Sequence, residues 1–198
     1  MKRAAILVIL TLLGNGLYAQ GTKFGIKAGL NLAQLKVSVA GYSETSNSLT
    51  AFHGGVYAQM MTSEKFGFQP ELLYSAQGAD EGDSAKFNLN YLIIPVMMRY
   101  DVSPGISIQA GPQVGFLMSA TVNGVDVKSE MNSIDFGLGF GFGVDRPSGF
   151  SFGFRYVVGL SNTFSSSTVS AMSNFGLGDI KMTNQVIQFS VGYRLTKG

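Results

Sequence analysis

The chain has 198 residues, of which 26 are glycine, and only 13% are charged, about half of the roughly 25% typical of soluble globular domains. A formal net charge of +2 without a basic run gives no reason to expect nucleic-acid binding. The absence of cysteine excludes disulfides, thiol chemistry and Cys-ligated metals, and one histidine leaves too few imidazoles for a His-rich metal site. The feature to explain is a chain rich in glycine and aromatic residues with few charges.

The N-terminal residues have the pattern of an export signal. Lys2 and Arg3 precede an apolar run over 4–13, and a small residue, Ala19, stands before the expected cleavage point. A spanning helix needs about 20 apolar residues, so this run is too short to be one. We therefore predict a signal peptide over 1–19 and an exported domain over 20–198; the alternative is a buried N-terminal strand or helix.

From Lys23 onward the dominant signal is an alternation of period two. Between Ile106 and Ala120 every even position is apolar, and the odd positions are polar or glycine except for Leu117. This period is that of a β-strand with one apolar face. The same alternation predicts strands at 23–32, 52–60, 66–75, 135–145, 150–159 and 187–195. One more predicted strand, 87–100, brings the count to eight. It is apolar on both faces around its centre, so the sequence leaves open which face points inward.

Short and long connections alternate between these strands. The short ones are 62–65, 101–105 and 146–149, and the long ones are 34–47, 78–86, 121–133 and 161–183. Short turns at one end and long loops at the other are typical of an up-and-down meander. We predict an all-β fold, an eight-stranded antiparallel up-and-down transmembrane β-barrel.

The alternation also suits a soluble, lipocalin-like barrel with its apolar face inside. A water-facing exterior would carry more Lys and Glu and less glycine than the polar face here, which suits a narrow lumen. We therefore expect the apolar face to contact lipid. The expected lumen charge network consists of Lys23, Lys27, Glu71, Asp135, Asp145, Arg155 and Arg194, and the expected aromatic girdle of Phe24, Phe66, Tyr100, Phe150 and Tyr193.

Five segments carry a resemblance to a known family: FGIKAGLN, FGFQPELLYSAQG, NYLIIPVMMRY, IQAGPQVGF and VGYRL. Together they resemble the small porin-like outer-membrane β-barrel proteins of Gram-negative bacteria, PorT-like members and OmpA-OmpX-like eight-stranded barrels included. The resemblance implies an outer-membrane location, a C-terminal strand ending Tyr193-Arg194-Leu195 that the barrel-assembly machinery reads, and a role in supporting a secretion apparatus. It carries over no catalytic residue.

Three motifs contain residue types that could carry chemistry. The glycines of 137–143 alternate with Phe and Leu and precede no helix, so they predict a strand rather than a phosphate loop. The acidic tip 80–83 lacks the alternating ligand spacing of a calcium loop. His53 is the only candidate general base, expected near the outer rim with Ser46 and Ser48. We predict no catalytic, cofactor or metal site.

Two further expectations concern the barrel wall and its lumen. Pro70, Pro95 and Pro112 lie inside predicted strands, where each removes a ladder donor, so we expect a bulge or an unpaired position at each. Unpaired ions in a narrow lumen are costly, so Lys27, Glu71, Asp135 and Arg155 should pair across it. Such a cluster is either a plug that stiffens the barrel or part of a gated pore, and eight strands favour the plug.

The predicted function is that of a non-enzymatic outer-membrane barrel. Its partners are membrane lipid and, through four long external loops, an external ligand, an adhesion target or a secretion-system protein. The alternatives are a narrow passive pore and a rim-sited enzyme that uses His53.

Overall fold

The computed structural model describes residues 22–39, 42–82, 84–174 and 180–196; the predicted signal peptide over 1–19 lies outside them. The described chain forms ten strands, a 3₁₀ turn at Lys128–Glu130 and one short helix, α1 (Ser166–Met172). The strands are β1 (Lys23–Val39), β2 (Tyr42–Thr45), β3 (Leu49–Met61), β4 (Phe66–Asp80), β5 (Lys86–Ser103), β6 (Ile106–Val122), β7 (Val125–Asp126), β8 (Ile134–Asp145), β9 (Phe150–Gly159) and β10 (Ile180–Arg194). No helix in these ranges has the length and apolarity that crossing a membrane would need.

Eight of the strands close into an antiparallel barrel. Around the wall the order is β1, β3, β4, β5, β6, β8, β9 and β10, and β10 pairs with β1 to complete the ring. The predicted eight-stranded antiparallel barrel is confirmed. Within the described ranges, β2 pairs only with the outer end of β1, and β7 only with the outer end of β6, so both belong to the long connections.

The strands run further toward the long-loop end than the alternation predicts. β4 continues to Asp80, which pairs with Lys86 at the start of β5, so their connection shrinks from the predicted 78–86 to 81–85. β10 begins at Ile180 rather than at residue 187. The alternation of apolar residues stops where the outer face becomes polar, as at Lys36, whereas the backbone ladder continues beyond that point.

Side chains on the outer face of the wall are apolar. On β1, Phe24, Ile26 and Leu30 expose 36%, 48% and 56% of their surface, whereas Asn31 on the opposite face is fully buried. The outward positions from Phe24 to Leu32 span about 27 Å of strand, or about 20 Å of height at a tilt of about 40°. With the length of the terminal side chains added, this height is close to the roughly 25 Å apolar band of transmembrane barrels.

The structure resolves the register of β5. Its odd residues point into the lumen, where Tyr91, Ile93 and Met97 are at most 1% exposed, while Val96 and Met98 face outward. Both faces of this strand are apolar because the lumen beside its outer half is itself apolar. A simple alternation could not show this.

A bulge near the outer end of β6 reverses which of its side chains face the lumen. Asn90 pairs with Ser119 and Tyr91 with Leu117, so Met118 is an extra residue on β6. Beyond it, Ala120 turns inward and is fully buried, and Ser119 is exposed. The expectation that Ala120 lies on the outer apolar face is therefore wrong, because an extra residue shifts a period-two pattern by one.

The three strand prolines interrupt the ladder without shifting its register. Near Pro70, paired positions are missing between β3 and β4; near Pro95 they are missing between β4 and β5, and near Pro112 between β5 and β6. In each case the register is the same on both sides of the gap. Each proline is paired with one neighbouring strand and unpaired toward the other, with no bulge, as expected for a residue that lacks an N–H.

Candidate functional site

An ionic cluster crosses the middle of the lumen. The carboxylate of Glu71 on β4 accepts two hydrogen bonds from the guanidinium of Arg155 on β9, at 2.8 and 2.9 Å. It also accepts from Lys27 Nζ and from Gln69 Nε2, each at 2.7 Å. Because β4 and β9 lie on opposite sides of the ring, the cluster crosses the lumen and joins the two sides of the wall. The Glu71 side chain is completely buried, so these contacts replace its hydration.

A second ionic group lies nearer the short-turn end. Arg99 on β5 donates from Nε to Asp101 at 2.7 Å and from Nη2 to Asp145 on β8 at 2.6 Å. Arg99 is only 3% exposed. The sequence did not single it out, because an open register for 87–100 left the face of this side chain undecided.

The remaining charges of the predicted network lie apart from these clusters. Asp135, at the outer end of β8, accepts hydrogen bonds from Asn184 at 2.8 Å and from Ser161. It does not reach Arg155 or Lys27, contrary to the expected pairing across the lumen. Lys23 and Arg194 lie at the short-turn ends of β1 and β10, and in the described part of the chain neither forms an ion pair.

The five girdle residues lie on the outer face at the short-turn end. Phe66 pairs in register with Tyr100, and the rings of Phe150 and Tyr193 are 5.1 Å apart. Phe24 is 36% exposed at the start of β1. Aromatic side chains at this level of the outer face are typical of the membrane surface of transmembrane barrels.

His53 lies inside the barrel, not at its outer rim. It is 2% exposed and pairs in register with Gly29, midway along β1. The Asn31 amide donates from Nδ2 to Ser75 Oγ, so its Oδ1 is free to accept from His53 Nδ1 at 2.8 Å. His53 Nε2 then accepts from Ser190 Oγ at 3.1 Å. The expected rim position of His53 is wrong, because strand β3 begins four residues before it, at Leu49, and the His53 side chain points into the lumen.

An apolar stopper fills the outer half of the lumen. Its buried members come from five barrel strands and from the connection that follows β7: Leu35, Leu73, Ala79, Leu89, Tyr91, Ile93, Leu117, Ala120, Met131 and Met182. The inner face was predicted to be polar along the whole barrel, whereas in the outer half apolar side chains share the lumen with buried polar ones such as Ser75 and Gln77. The lumen is closed twice, by the ionic cluster and by the stopper.

The long connections form a folded cap over the stopper. Asn132 Nδ2 donates to the carbonyls of Asn162 at 2.7 Å and Phe164 at 2.8 Å, which joins the third connection to the fourth. Glu81 accepts from the backbone N–H of Asn47 at 2.9 Å, which joins the second to the first. The loops are thus tied together in pairs.

The inward glycines of β8 have a structural role. A Cβ on Gly139 would lie 3.2 Å from Arg155 Cδ and 3.3 Å from Met97 Cε. The small residue therefore makes room for the arginine of the ionic cluster.

At the acidic tip, Asp80 pairs with Lys86 at 3.4 Å, and the described ranges contain no group of His, Asp and Glu that could hold a metal ion.

Comparison with known proteins agrees with the fold of an outer-membrane β-barrel. The model of the outer membrane protein beta-barrel domain family matches residues 18–165. Among solved structures, Neisserial surface protein A is 15% identical, with 89% of this chain and 100% of that chain covered and a TM-score of 0.58. Ail of Yersinia pestis is 16% identical, with 87% and 98% covered and a TM-score of 0.47. OprG from Pseudomonas aeruginosa is 13% identical, with 89% and 97% covered and a TM-score of 0.45. No curated protein matches the chain.

Proposed function

We propose a binding role at the cell surface for this chain, which belongs to the outer membrane protein β-barrel domain family and resides in the outer membrane of a Gram-negative bacterium. The proposed work is adhesion, or capture of an external ligand, by the outer cap. The observation that supports this proposal is the double closure of the lumen, by the Glu71 cluster and by the apolar stopper. A barrel without an open path leaves its cap as the surface through which it meets the outside.

The cap offers an ordered surface for such contacts. β2 forms a hairpin with the outer end of β1, and all four of its side chains are exposed, Tyr42 by 84%. The hairpin stands beyond the barrel wall, since β2 pairs with no barrel strand other than β1 in the described ranges. Exposed aromatic and polar groups on a rigid support are suited to recognition.

The purified protein in a planar lipid bilayer is expected to show no discrete conductance steps. The ionic cluster bridges opposite strands, and the stopper packs buried apolar side chains across the outer half of the lumen. The measurement is a single-channel recording at moderate voltage, with an open porin reconstituted in the same lipid as the positive control. Reproducible steps from this protein would favour the alternative, a narrow passive pore.

We also propose that the barrel has no catalytic activity. Ser190, His53 and Asn31 follow the donor order of a Ser–His–Asn triad. However, Ser190 lies in mid-strand, paired with Gly29 on one side and Gly153 on the other. The surrounding backbone N–H groups belong to the two ladders, so none is free to stabilise an oxyanion. The arrangement gives both ring nitrogens of the buried His53 a hydrogen-bond partner.

Export and assembly complete the proposal. The signal peptide over 1–19 would direct the domain over 20–198 out of the cytoplasm. β10 closes the ring against β1, and this last strand is the segment that the barrel-assembly machinery would read. A supporting role for a secretion apparatus rests on the sequence resemblance, and co-purification of partners from native membranes tests it.

A further inference from the structure

The outer face of β1 changes from apolar to polar near the long-loop end. Its outward positions there are Leu30 and Leu32, followed by Gln34, Lys36 and Ser38. At about 3.3 Å per residue and a tilt of about 40°, Lys36 lies about 10 Å above Leu32. A headgroup layer is about 5–8 Å thick, and a lysine side chain can bend back toward it. The Lys36 ammonium therefore reaches the level of the lipid headgroups.

A second lysine lies beside Lys36 on the same face. Lys36 pairs in register with Thr183 of β10, and Ser38 pairs with Lys181. The two lysines are therefore diagonal neighbours, about 7–8 Å apart. Lys181 points outward because the next residue, Met182, points inward into the stopper. Lys181 is exposed and Lys36 is half-buried.

Strand β2 extends this face with hydroxyl groups. Thr45 pairs with Lys36, and Ser43 pairs with Ser38. The hydroxyl oxygens of Ser38 and Ser43 are 2.8 Å apart, which places both side chains on one face. We call the resulting surface the basic patch; it consists of Lys36, Ser38, Ser43, Thr45 and Lys181. Each of these five side chains can donate a hydrogen bond to an anion.

No carboxylate of the neighbouring strand balances the two lysines. Glu44 of β2 pairs with Val37 and so lies on the opposite face, which packs against the stopper. Among the described residues, neither Lys36 nor Lys181 forms an ion pair. Two like charges at diagonal positions repel each other, so an anion that lies between them is favoured.

We propose that the basic patch binds the phosphate group of an anionic lipid headgroup in the outer leaflet. The long connections of transmembrane barrels face the cell exterior, so this end of the wall meets the outer leaflet. The phosphate accepts charge-assisted hydrogen bonds from both ammonium groups, while the acyl chains of the same lipid lie against the apolar wall directly below.

The lipid is favoured over a free anion because the patch continues the lipid-facing surface. Leu32 pairs with Ile187 on β10, and both are outward apolar residues just below Lys36. A headgroup held at the patch therefore keeps its acyl chains on an apolar wall, whereas a free phosphate gains only the polar contacts. The site lies on the wall rather than on the cap, so it does not depend on the proposed adhesion role.

The test is native mass spectrometry of the barrel in a maltoside detergent, which contains no phosphate, titrated with lipid A that carries two phosphate groups. We expect saturable binding of a first lipid to the wild type. Replacing either lysine, with Lys36→Gln or Lys181→Gln, should weaken this binding about fivefold, and the double variant should weaken it about 25-fold. The same lipid A without its phosphates should bind the wild type as weakly as the phosphorylated form binds the double variant.

Lys86→Gln is the matched control. Lys86 is an outward lysine at the long-loop end of β5, but it already pairs with Asp80 at 3.4 Å. Its replacement should change lipid binding less than twofold. The substituted side chains lie on the surface, so all variants should fold, and a change in gel migration on boiling verifies this.

Three results would overturn the proposal. The first is a folded double variant that binds phosphorylated lipid A within twofold of the wild type. The second is equal binding of the phosphorylated and phosphate-free lipids by the wild type. The third is displacement of the lipid by sodium phosphate at the same concentration, which would show a site for the free anion.

Discussion

Replacing Glu71 with alanine is expected to destabilise the barrel by about 3–5 kcal/mol, because it leaves Lys27 and Arg155 buried and without a counter-ion. The arginine loses both of its carboxylate bonds and the lysine its 2.7 Å partner. The free energy of unfolding is measured by urea titration in lipid vesicles. Because the chain has no tryptophan, the folded fraction is followed by its migration on an unboiled detergent gel.

Two comparisons make the Glu71 result specific. Glu44→Ala removes an exposed carboxylate of β2 and should change the stability by no more than about 0.5 kcal/mol. Replacing the cluster as a whole, with Glu71→Leu, Lys27→Met and Arg155→Met, should restore most of the loss, since no buried charge remains. A Glu71→Ala barrel as stable as Glu44→Ala would show that the cluster does not form as described.

Placing a charge on the middle of the outer face should be nearly as costly. Phe140 lies at the centre of β8, pairs with Ala110 and Tyr156, and is 51% exposed. In water an arginine at such a position would be tolerated. Facing lipid, Phe140→Arg should destabilise the barrel by about 2–4 kcal/mol, measured by the same urea titration.

Val125→Arg is the matched control for the lipid face. Val125 lies on β7, outside the apolar band, and is 66% exposed. This change should alter the stability by no more than about 0.5 kcal/mol. Equal effects at the two positions would mean that the outer face does not contact lipid.

The barrel itself was predictable because an alternation of period two indicates which face of a strand each residue occupies. In a membrane barrel this alternation is repeated over eight strands, and the inner face carries small residues. Both features, the alternation and the small inner residues, are visible within each single strand. Gly139 shows the reason for the second part, since the side chain of Arg155 lies where a larger residue would stand. Sequence therefore indicated both the fold and the side that faces lipid.

The contacts of the lumen were less predictable because they depend on register around the ring. Arg99 and Asp135 both belong to the inner face, yet only Arg99 finds an ionic partner across strands. The bulge at Met118 and the apolar inner face of β5 also arise from cross-strand packing. The period of a single strand contains no information on its neighbour, so the stopper could not be derived from it.

The most direct test of the account is where the protein fractionates and how it migrates on a detergent gel before and after boiling. Because eight strands form a closed ring of backbone hydrogen bonds around an ionic cluster, the folded barrel should resist cold detergent. We expect the protein in the outer-membrane fraction, with a clear change in migration on boiling. Recovery as a soluble periplasmic protein, with identical migration before and after boiling, would contradict the account.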